Sequence, residues 1–280
     1  MNYRHAFHSG NFSDLMKHGL LTHILASLTA EAAPLTVIDT HAGAGKYDLD
    51  GPDATRTGEG RAGVGVLMAA VGAPAAFDAL KTAVGHANPA GRIRYYPGSP
   101  LLIAAALRSR DHYIACELRA DDYAALKQAL SRQPGAALFN EDGWRIAALR
   151  APRAPAALLA LVDPPFERAD DYQQLIRLAG RIVGVNERAT IATWLPIKDL
   201  ARFDAFLTEL EDAARGRPIL LAEVRLRPLT DPMSMNGCAL AVINPTPRLD
   251  QAGKDIVDWL AATLGATGGE GRVTALNGEK

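Results

Sequence analysis

Apolar and polar positions follow two different periods along the chain. Short apolar runs rich in β-branched residues predict buried strands, and apolar residues spaced three or four apart predict amphipathic helices. The predicted strands are 35–39, 113–116, 137–140, 156–162, 189–194, 219–226 and 238–243. The predicted helices run from Ser13 to about Ala30 and over 62–71, 74–86, 100–109, 121–132, 170–183 and 199–213. Ser13 and Ser99 are the predicted N-caps of their helices, with Pro100 at the first helical position.

The alternation of strands and helices predicts an α/β protein with a mostly parallel sheet. Only a short loop separates strands 219–226 and 238–243, which predicts antiparallel neighbours and an antiparallel final strand at the sheet edge. Between the first two strands lies far more chain than one crossover helix needs. We therefore expect one domain over residues 1–280, with an inserted helical subdomain at 48–94 and a helical segment at the N-terminus.

The composition is that of an ordinary globular chain. Its 280 residues are 48% hydrophobic and 22% charged, and the formal net charge is −1. Residues 1–10 are polar and aromatic and predict no signal segment, and no apolar stretch is long enough for a membrane span. Cys116 and Cys238 both fall in predicted strands, which favours buried thiols and a cytoplasmic protein.

The histidines are concentrated near the N-terminus. Those that precede residue 42 are His5, His8, His18, His23 and His41. No cysteine or closely spaced acid accompanies them, so no metal site is expected.

The loop after the first strand contains small residues that let a ligand approach the backbone. Residues 39–45 have the spacing D-x-x-x-G-x-G. A phosphate-binding P-loop is excluded because Thr40 and Tyr47 stand where that motif needs Gly and Ser or Thr. A dinucleotide fingerprint fits poorly because Asp48 stands where its third glycine belongs. The spacing is instead typical of the first motif of S-adenosylmethionine-dependent methyltransferases.

An acid, two prolines and an aromatic residue follow strand 156–162 directly. Prolines have a fixed φ and no N–H, so the backbone at 164–165 is stiff and its carbonyls are free. The carboxylate of Asp163 and a carbonyl can accept both hydrogens of an exocyclic amine, while the ring of Phe166 stacks on the base. This sequence is typical of methyltransferases that act on adenine N6, guanine N2 or glutamine amides. An ordinary strand end with a Pro-Pro turn is the alternative interpretation.

Three successive predicted strands end in acids. In a parallel sheet the carboxyl ends of the strands meet at the ligand-binding edge. Glu117 is placed to accept from two ribose hydroxyls, and Asp142 from an adenine amino group. Gly143 lets a backbone N–H approach the same ligand, and Asp163 ends the next strand. The three acids therefore predict a single binding site for a nucleotide-like ligand.

These motifs together resemble the RlmJ-type ribosomal RNA adenine N6-methyltransferases over nearly the whole chain. The similar segments are 3–18, 39–45, 95–100 and 142–144. The resemblance implies a Rossmann-like class I methyltransferase fold with a mostly parallel twisted sheet and an antiparallel last strand. It also implies S-adenosyl-L-methionine as cofactor, and 23S rRNA, methylated at one adenine before subunit assembly, as partner. We further expect a monomer that contacts no membrane.

The resemblance also assigns residue roles. Those that would hold S-adenosylmethionine are His18, His41, Ser99, Glu117, Asp142 and Gly143. Asp163 would be the catalytic acid and Tyr3 would approach the RNA, while Pro164 and Phe166 would contact the target base. The chain departs from the family pattern at Phe166, where Tyr is commoner, and at Leu195, where an aromatic residue is expected against the base.

Other functions stay open on the residues alone. They are a guanine-N2 rRNA methyltransferase, a dinucleotide-dependent oxidoreductase and a non-catalytic RNA-binding module. Because the net charge is near zero, RNA contact requires a local basic face. Its candidate residues are Arg4, Lys46, Arg56, Arg61, Arg92 and Arg94.

Overall fold

The computed structural model describes residues 5–133, 135–154, 157–228 and 235–277. The strands are β1 (Leu35–Asp39), β2 (Lys46–Asp48), β3 (Tyr95–Pro97), β4 (His112–Cys116), β5 (Ala136–Phe139), β6 (Ala157–Val162), β7 (Thr190–Ile197), β8 (Ile219–Arg225), β9 (Gly237–Ile243) and β10 (Glu270–Leu276). The α-helices are α1 (Phe12–Ala30), α2 (Pro52–Thr57), α3 (Val66–Ala69), α4 (Asp78–Ala87), α5 (Ser99–Ala106), α6 (Ala120–Ala129), α7 (Gly143–Arg150), α8 (Asp171–Val185), α9 (Leu200–Ala213) and α10 (Leu249–Leu264).

Within this part of the chain, eight strands form one sheet in the order β10-β8-β9-β7-β6-β1-β4-β5, and β2 pairs with β3 separately. Strands β5, β4, β1, β6 and β7 are parallel, whereas β9 is antiparallel to both β7 and β8. In this register Asp39 lies beside Leu161 of β6 and Ala115 of β4. The predicted Rossmann-like α/β architecture is confirmed, and the acids that follow β4, β5 and β6 share one edge of the sheet.

Helices cover both faces of the large sheet. Along β6, Leu159 and Leu161 belong to the core shared with α1, α4, α5, α6 and α10. Leu158 and Val162 belong to the opposite core, shared with α7, α8 and α9. Because the strand is buried on both faces, its apolar run is continuous rather than alternating.

One prediction about the end of the chain is wrong, and two elements there were not predicted. The strand predicted at 238–243 is not at the sheet edge, because β9 is hydrogen-bonded between β7 and β8. The edge beyond β8 is formed by β10, an antiparallel strand that the sequence pattern did not reveal. Helix α10, also unpredicted, packs onto β8 and β10 and buries Ile256 and Leu260.

The start of α1 also differs from its prediction. Asn11 is the N-cap, and its Oδ1 accepts from the backbone N–H groups of Ser13 at 3.0 Å and Asp14 at 3.1 Å. Ser13 therefore lies inside the helix. An amide oxygen two or three residues ahead satisfies the same free N–H groups that a serine hydroxyl would.

The segment between β2 and β3 contains α2, α3 and α4, so residues 48–94 are largely helical. Leu67 and Phe77 of this segment are fully buried in the core that includes α1. The N-terminal segment approaches it closely, because a Cβ added to Gly63 would lie 2.2 Å from the carbonyl oxygen of Gly10. The helices of this segment therefore contribute to the core beside α1.

Candidate active site

A cavity of about 410 Å³ lies at the carboxyl edge of the parallel strands, a volume typical of small-molecule sites. Its walls come from the first turns of α1, the loops after β1, β4, β5, β6 and β7, Tyr47 of β2 and the start of α5. The predicted site residues that line it are His18, His41, Ser99, Glu117, Asp142, Gly143, Asp163, Pro164 and Phe166. Tyr3, the remaining predicted site residue, and Arg4 lie outside the described residues.

Asp163 is held by a buried lysine from the first helix. Lys17 Nζ lies 2.6 Å from Oδ2 of Asp163 and 3.0 Å from Oδ1 of Asp14, and its side chain is only 5% exposed. Nε2 of His5 lies 2.9 Å from the second oxygen of Asp14. Burial by itself lowers the pKa of Lys17, but the two carboxylates outweigh it and raise that pKa well above its ordinary value. The lysine is therefore a permanent cation next to Asp163.

Lys17 and Asp14 were not among the predicted site residues. They are three positions apart on α1, which places them on one face of the helix. Asp14 also accepts the backbone N–H of Gly10 and lies in the first turn, where the helix dipole favours a carboxylate. The sequence signal that could have identified them is a pair of opposite charges on the apolar part of a predicted helix.

His18 is a buried neutral histidine on the cavity wall. Its Nδ1 lies 2.7 Å from the hydroxyl oxygen of Tyr96, and burial lowers the pKa of His18 to about 3. Within the described residues, Nε2 of His18 has no hydrogen-bond partner. An unpaired buried polar atom is costly, so a ligand at this nitrogen would satisfy it.

Ser99 is not the N-cap of α5, because Gly98 holds that position and Pro100 is the second helical residue. The hydroxyl of Ser99 donates to Oδ2 of Asp39 at 2.9 Å, and the hydroxyl of Tyr113 donates to the same oxygen at 3.2 Å. Burial raises the pKa of Asp39 to about 7. The N-cap prediction failed because Ser99 is already the first residue of the helix. Its hydroxyl donates instead to a carboxylate that is far away in the sequence. Ser99 thereby joins the start of α5 to the end of β1.

The carboxylate of Glu117 is held by hydrogen bonds to the backbone, one of them from the loop that follows β1. Its Oε2 accepts from the backbone N–H of Gly43 at 2.9 Å, and its Oε1 accepts from that of Arg119 at 2.7 Å. Gly43 has φ +67°, and a Cβ there would lie 2.3 Å from the hydroxyl oxygen of Tyr47, so only glycine fits. Burial raises the pKa of Glu117. Each carboxylate oxygen has a second lone pair for a ligand hydroxyl.

Asp142 and Gly143 begin α7 directly beneath the loop after β1. Oδ1 of Asp142 accepts from the backbone N–H of Trp144 at 2.8 Å and so caps the helix. A Cβ on Gly143 would lie 1.9 Å from the carbonyl oxygen of Thr40, so glycine is needed for backbone contact as well as for any ligand. The ring of His41 meets Trp144 edge-on at 5.0 Å, and burial lowers the pKa of His41 to about 4.

Aromatic rings line the cavity beyond Asp163. Phe166 has φ +51°, and its ring lies 4.6 Å from that of Tyr172 and 6.0 Å from that of Trp194. The side chain at position 195 does not face the cavity, although an aromatic contact with the base was expected there. Leu195 is fully buried in the core on the α8–α9 side. Alternation along β7 turns Trp194 and Pro196 toward the cavity instead.

The predicted basic residues of segment 48–94 are largely paired with acids. The ion pairs are Arg61–Asp50 at 3.5 Å, Arg92–Asp50 at 2.7 Å and Arg94–Asp48 at 2.8 Å. Lys46 lies 4.0 Å above the ring of Tyr95, and the guanidinium of Arg94 lies 5.1 Å from the same ring. Arg56 lies over the ring of Phe7. The structure therefore brings an aromatic ring and several cations together, but acids offset part of their charge.

The described part of the chain contains no helix long and apolar enough to cross a membrane. In the same residues, no three His, Cys, Asp or Glu side chains gather as metal ligands would.

Comparison with known proteins shows clear relatives. Residues 32–276 match the family described as ribosomal RNA large subunit methyltransferase D, RlmJ. The chain is 34% identical over 266 residues to ribosomal RNA large subunit methyltransferase J of Escherichia coli strain K12, and 31% identical over 265 residues to the protein of that name in Haemophilus influenzae. Both alignments cover 94% of each chain. A crystal structure of a Legionella pneumophila protein has a TM-score of 0.88 and 27% identity, covering 98% of this chain and 99% of that one.

Proposed function

Because the chain belongs to the RlmJ family of ribosomal RNA large subunit methyltransferases, and so bears out the resemblance seen in its motifs, we propose that it methylates the N6 amine of one adenine in 23S rRNA. The methyl donor in this proposal is S-adenosylmethionine, and the substrate is cytoplasmic RNA not yet assembled into the subunit. The protein acts as a monomer, and residues 1–280 act as one domain whose inserted subdomain, 48–94, contacts the RNA.

The residues that line the cavity suit S-adenosylmethionine. Glu117 and Asp142 offer carboxylate oxygens for ribose hydroxyls and an adenine amine. Nε2 of His18 is buried and unpartnered within the described residues, and so supplies a polar atom for the amino-acid part. Leu118 lines the cavity between the two acids and is 53% exposed, so a flat ring could cover it. These residues therefore offer partners for the ribose, the adenine and the amino-acid part of the cofactor.

When bound, S-adenosylmethionine supplies an electrophilic methyl group, so the task of the chain is mainly to position the nucleophile. The adenine amine is a poor nucleophile because its lone pair is delocalised into the ring. Oδ1 of Asp163 and the carbonyl of Pro164 would accept its two hydrogens and direct the lone pair outward. Since the amine nitrogen becomes acidic only as the new bond forms, Asp163 need not be a strong base beforehand.

Lys17 and the aromatic rings support the same geometry. Lys17 holds Oδ2 of Asp163 at 2.6 Å and leaves Oδ1 for the amine. The adenine must leave its stack in the RNA to reach Asp163, and the ring of Phe166 would replace part of the lost stacking. Trp194 lies 6.0 Å from Phe166 and would contribute a second aromatic face.

A single observation carries the proposal: Asp163, at the end of β6, shares one cavity with the acids that follow β4 and β5. The test is mass spectrometry of nucleosides from 23S transcript incubated with S-adenosylmethionine and the protein, with the Asp163→Ala variant as control. N6-methyladenosine from wild type alone is the expected result. N2-methylguanosine would favour the guanine alternative. An unmodified transcript combined with NAD binding would favour an oxidoreductase.

The same assay tests the state of the substrate. Naked 23S transcript should be methylated much faster than assembled large subunits, because the target adenine must be extruded into a narrow cavity. Equal rates on both substrates would contradict this part of the proposal.

A further inference from the structure

The surroundings of the buried contact between His18 and Tyr96 determine which group donates. The two rings stack with centroids 5.5 Å apart at an angle of 27°, and both residues are almost fully buried. Burial lowers the pKa of His18 to about 3 and raises the pKa of Tyr96 well above its usual range, so both groups are neutral at physiological pH. A neutral imidazole carries one hydrogen on one of its two nitrogens, and a phenol carries one on its oxygen.

Only one assignment of these hydrogens gives both Nδ1 of His18 and the hydroxyl of Tyr96 a hydrogen-bond partner. If Nδ1 of His18 donated, the phenolic hydrogen of Tyr96 would need another acceptor, and the described residues provide none. If the phenol donates, Nδ1 accepts and the imidazole hydrogen lies on Nε2. The single unsatisfied atom is then Nε2, on a residue of the cavity wall.

We propose that Tyr96 is a positioning residue that holds His18 in the Nε2–H tautomer, so that His18 donates to the carboxylate of the cofactor. The inference rests on the proposed binding of S-adenosylmethionine. An Nε2–H group can only donate a hydrogen bond. In the amino-acid part of the cofactor its partner is therefore the carboxylate, because the ammonium group has no lone pair with which to accept.

The fold restrains the ring of Tyr96 from two sides. Tyr96 of β3 pairs with Tyr47 of β2, which itself lines the cavity. A Cβ added to Gly10 would lie 2.9 Å from Cγ1 of Val64 and 3.4 Å from the Tyr96 ring. The N-terminal segment and segment 48–94 therefore pack where they can keep the phenol in place. Through this contact the inserted segment supports cofactor binding.

The binding test uses Tyr96→Phe, which keeps the buried ring and removes the hydroxyl. Titration calorimetry should show S-adenosylmethionine binding weakened by about tenfold, as expected when one hydrogen bond to a charged group is impaired. Decarboxylated S-adenosylmethionine, which lacks only the carboxylate, should bind both proteins equally. Tyr123→Phe is the control, because it removes a partly buried hydroxyl that donates to the carbonyl oxygen of Leu138 outside the cavity, and it should change neither affinity.

The tautomer of His18 is measured directly in the protein without ligand. Long-range 1H–15N correlation spectra should show the hydrogen of His18 on Nε2 in wild type and a mixture of tautomers in Tyr96→Phe, with the resonances assigned by the His18→Gln variant. A wild-type hydrogen on Nδ1 would overturn the inference, and so would equal weakening of both ligands. If wild type binds neither ligand, the proposed function fails, while the spectra still decide the contact.

Discussion

Lys17 Nζ lies 2.6 Å from Oδ2 of Asp163, across 146 positions of sequence. The lysine side chain is 5% exposed and the aspartate side chain 18% exposed, so the pair is shielded from most solvent. This contact joins the first helix to the end of the fourth parallel strand along the chain. It gives the proposed catalytic carboxylate a fixed rotamer and a fixed counter-charge.

Asp163→Ala should keep S-adenosylmethionine binding and lose nearly all methyl transfer, by about 10³-fold or more, because the carboxylate contacts the amine rather than the adenosine of the cofactor. Asp163→Asn keeps one acceptor oxygen in place and should retain partial activity, well below wild type, if orientation of the amine dominates. Single-turnover rates on a short RNA hairpin measure both. Wild-type rates from the alanine variant would exclude a catalytic role.

Lys17→Met should lower the free energy of unfolding by about 3–5 kcal/mol, because it leaves the buried carboxylate of Asp14 without the lysine that lies 3.0 Å from it. In the double variant with Asp14→Asn, part of that loss should be recovered, since the buried charge of Asp14 is gone and only the partly exposed carboxylate of Asp163 lacks its lysine partner. Urea unfolding at neutral pH measures Lys17→Met, Asp14→Asn and the double variant. Strictly additive effects would show that the two side chains are not coupled.

Glu117→Ala should weaken S-adenosylmethionine by about 1–3 kcal/mol, because buried ligand hydroxyls lose their acceptor. Asp142→Ala should weaken it similarly and also remove the cap of α7. Asp199→Ala is the matched control, because Asp199 caps α9 through the N–H of Ala201 and does not line the cavity. That control should cost about 1 kcal/mol of stability and leave affinity unchanged. Unchanged affinity in both site variants would overturn the proposed cofactor orientation.

Asp39 should make stability depend on pH in a predictable direction. Its folded pKa of about 7 lies above the ordinary value of 3.8, so its contribution is complete below 3.8 and is lost as pH rises through 7. Between pH 5 and pH 8, Asp39→Asn should therefore gain on wild type by roughly 1–4 kcal/mol. The lowered pKa values of His18 and His41 affect both proteins and cancel. A difference independent of pH would refute a raised pKa.

RNA affinity should fall steeply with salt despite the near-neutral net charge, because phosphate contacts release counterions. Arg92→Ala should lower the slope of log affinity against log salt by about one. Asp50→Asn should act in the opposite direction and tighten RNA binding, since Asp50 pairs with both Arg61 and Arg92. Arg188→Ala, an exposed position after α8, is the control and should change neither quantity.

Point variants are preferable here to deletion of residues 48–94. Leu67, Phe77 and Leu80 of that segment are fully buried in the core shared with α1, so a deletion would expose that core. Loss of RNA binding by a deleted protein would then report unfolding rather than recognition. If Arg92→Ala and Asp50→Asn both bind RNA like wild type, the segment is not the RNA contact.

Part of the site could be located from the apolar runs in the sequence together with the rule that ligands bind at the carboxyl ends of parallel strands. Glu117, Asp142 and Asp163 each follow an apolar run, and parallel strands bring their carboxyl ends to one edge, so their meeting was predictable. Lys17 and Tyr96 could not be placed in the same way. Their contacts depend on the angle at which α1 crosses the sheet and on which side of the β2–β3 pair faces inward.

The sequence by itself determined the number and type of most elements between residues 13 and 243, the mostly parallel character of the sheet and the family to which the chain belongs. These follow from periodicity and short motifs, which act over a few neighbouring residues. The tertiary structure decided that β9 lies inside the sheet, that β10 forms its edge and that Ser99 donates to Asp39 rather than capping α5. Such choices join residues far apart in the chain, and they are set by the packing of the whole core and by buried polar groups that must find partners.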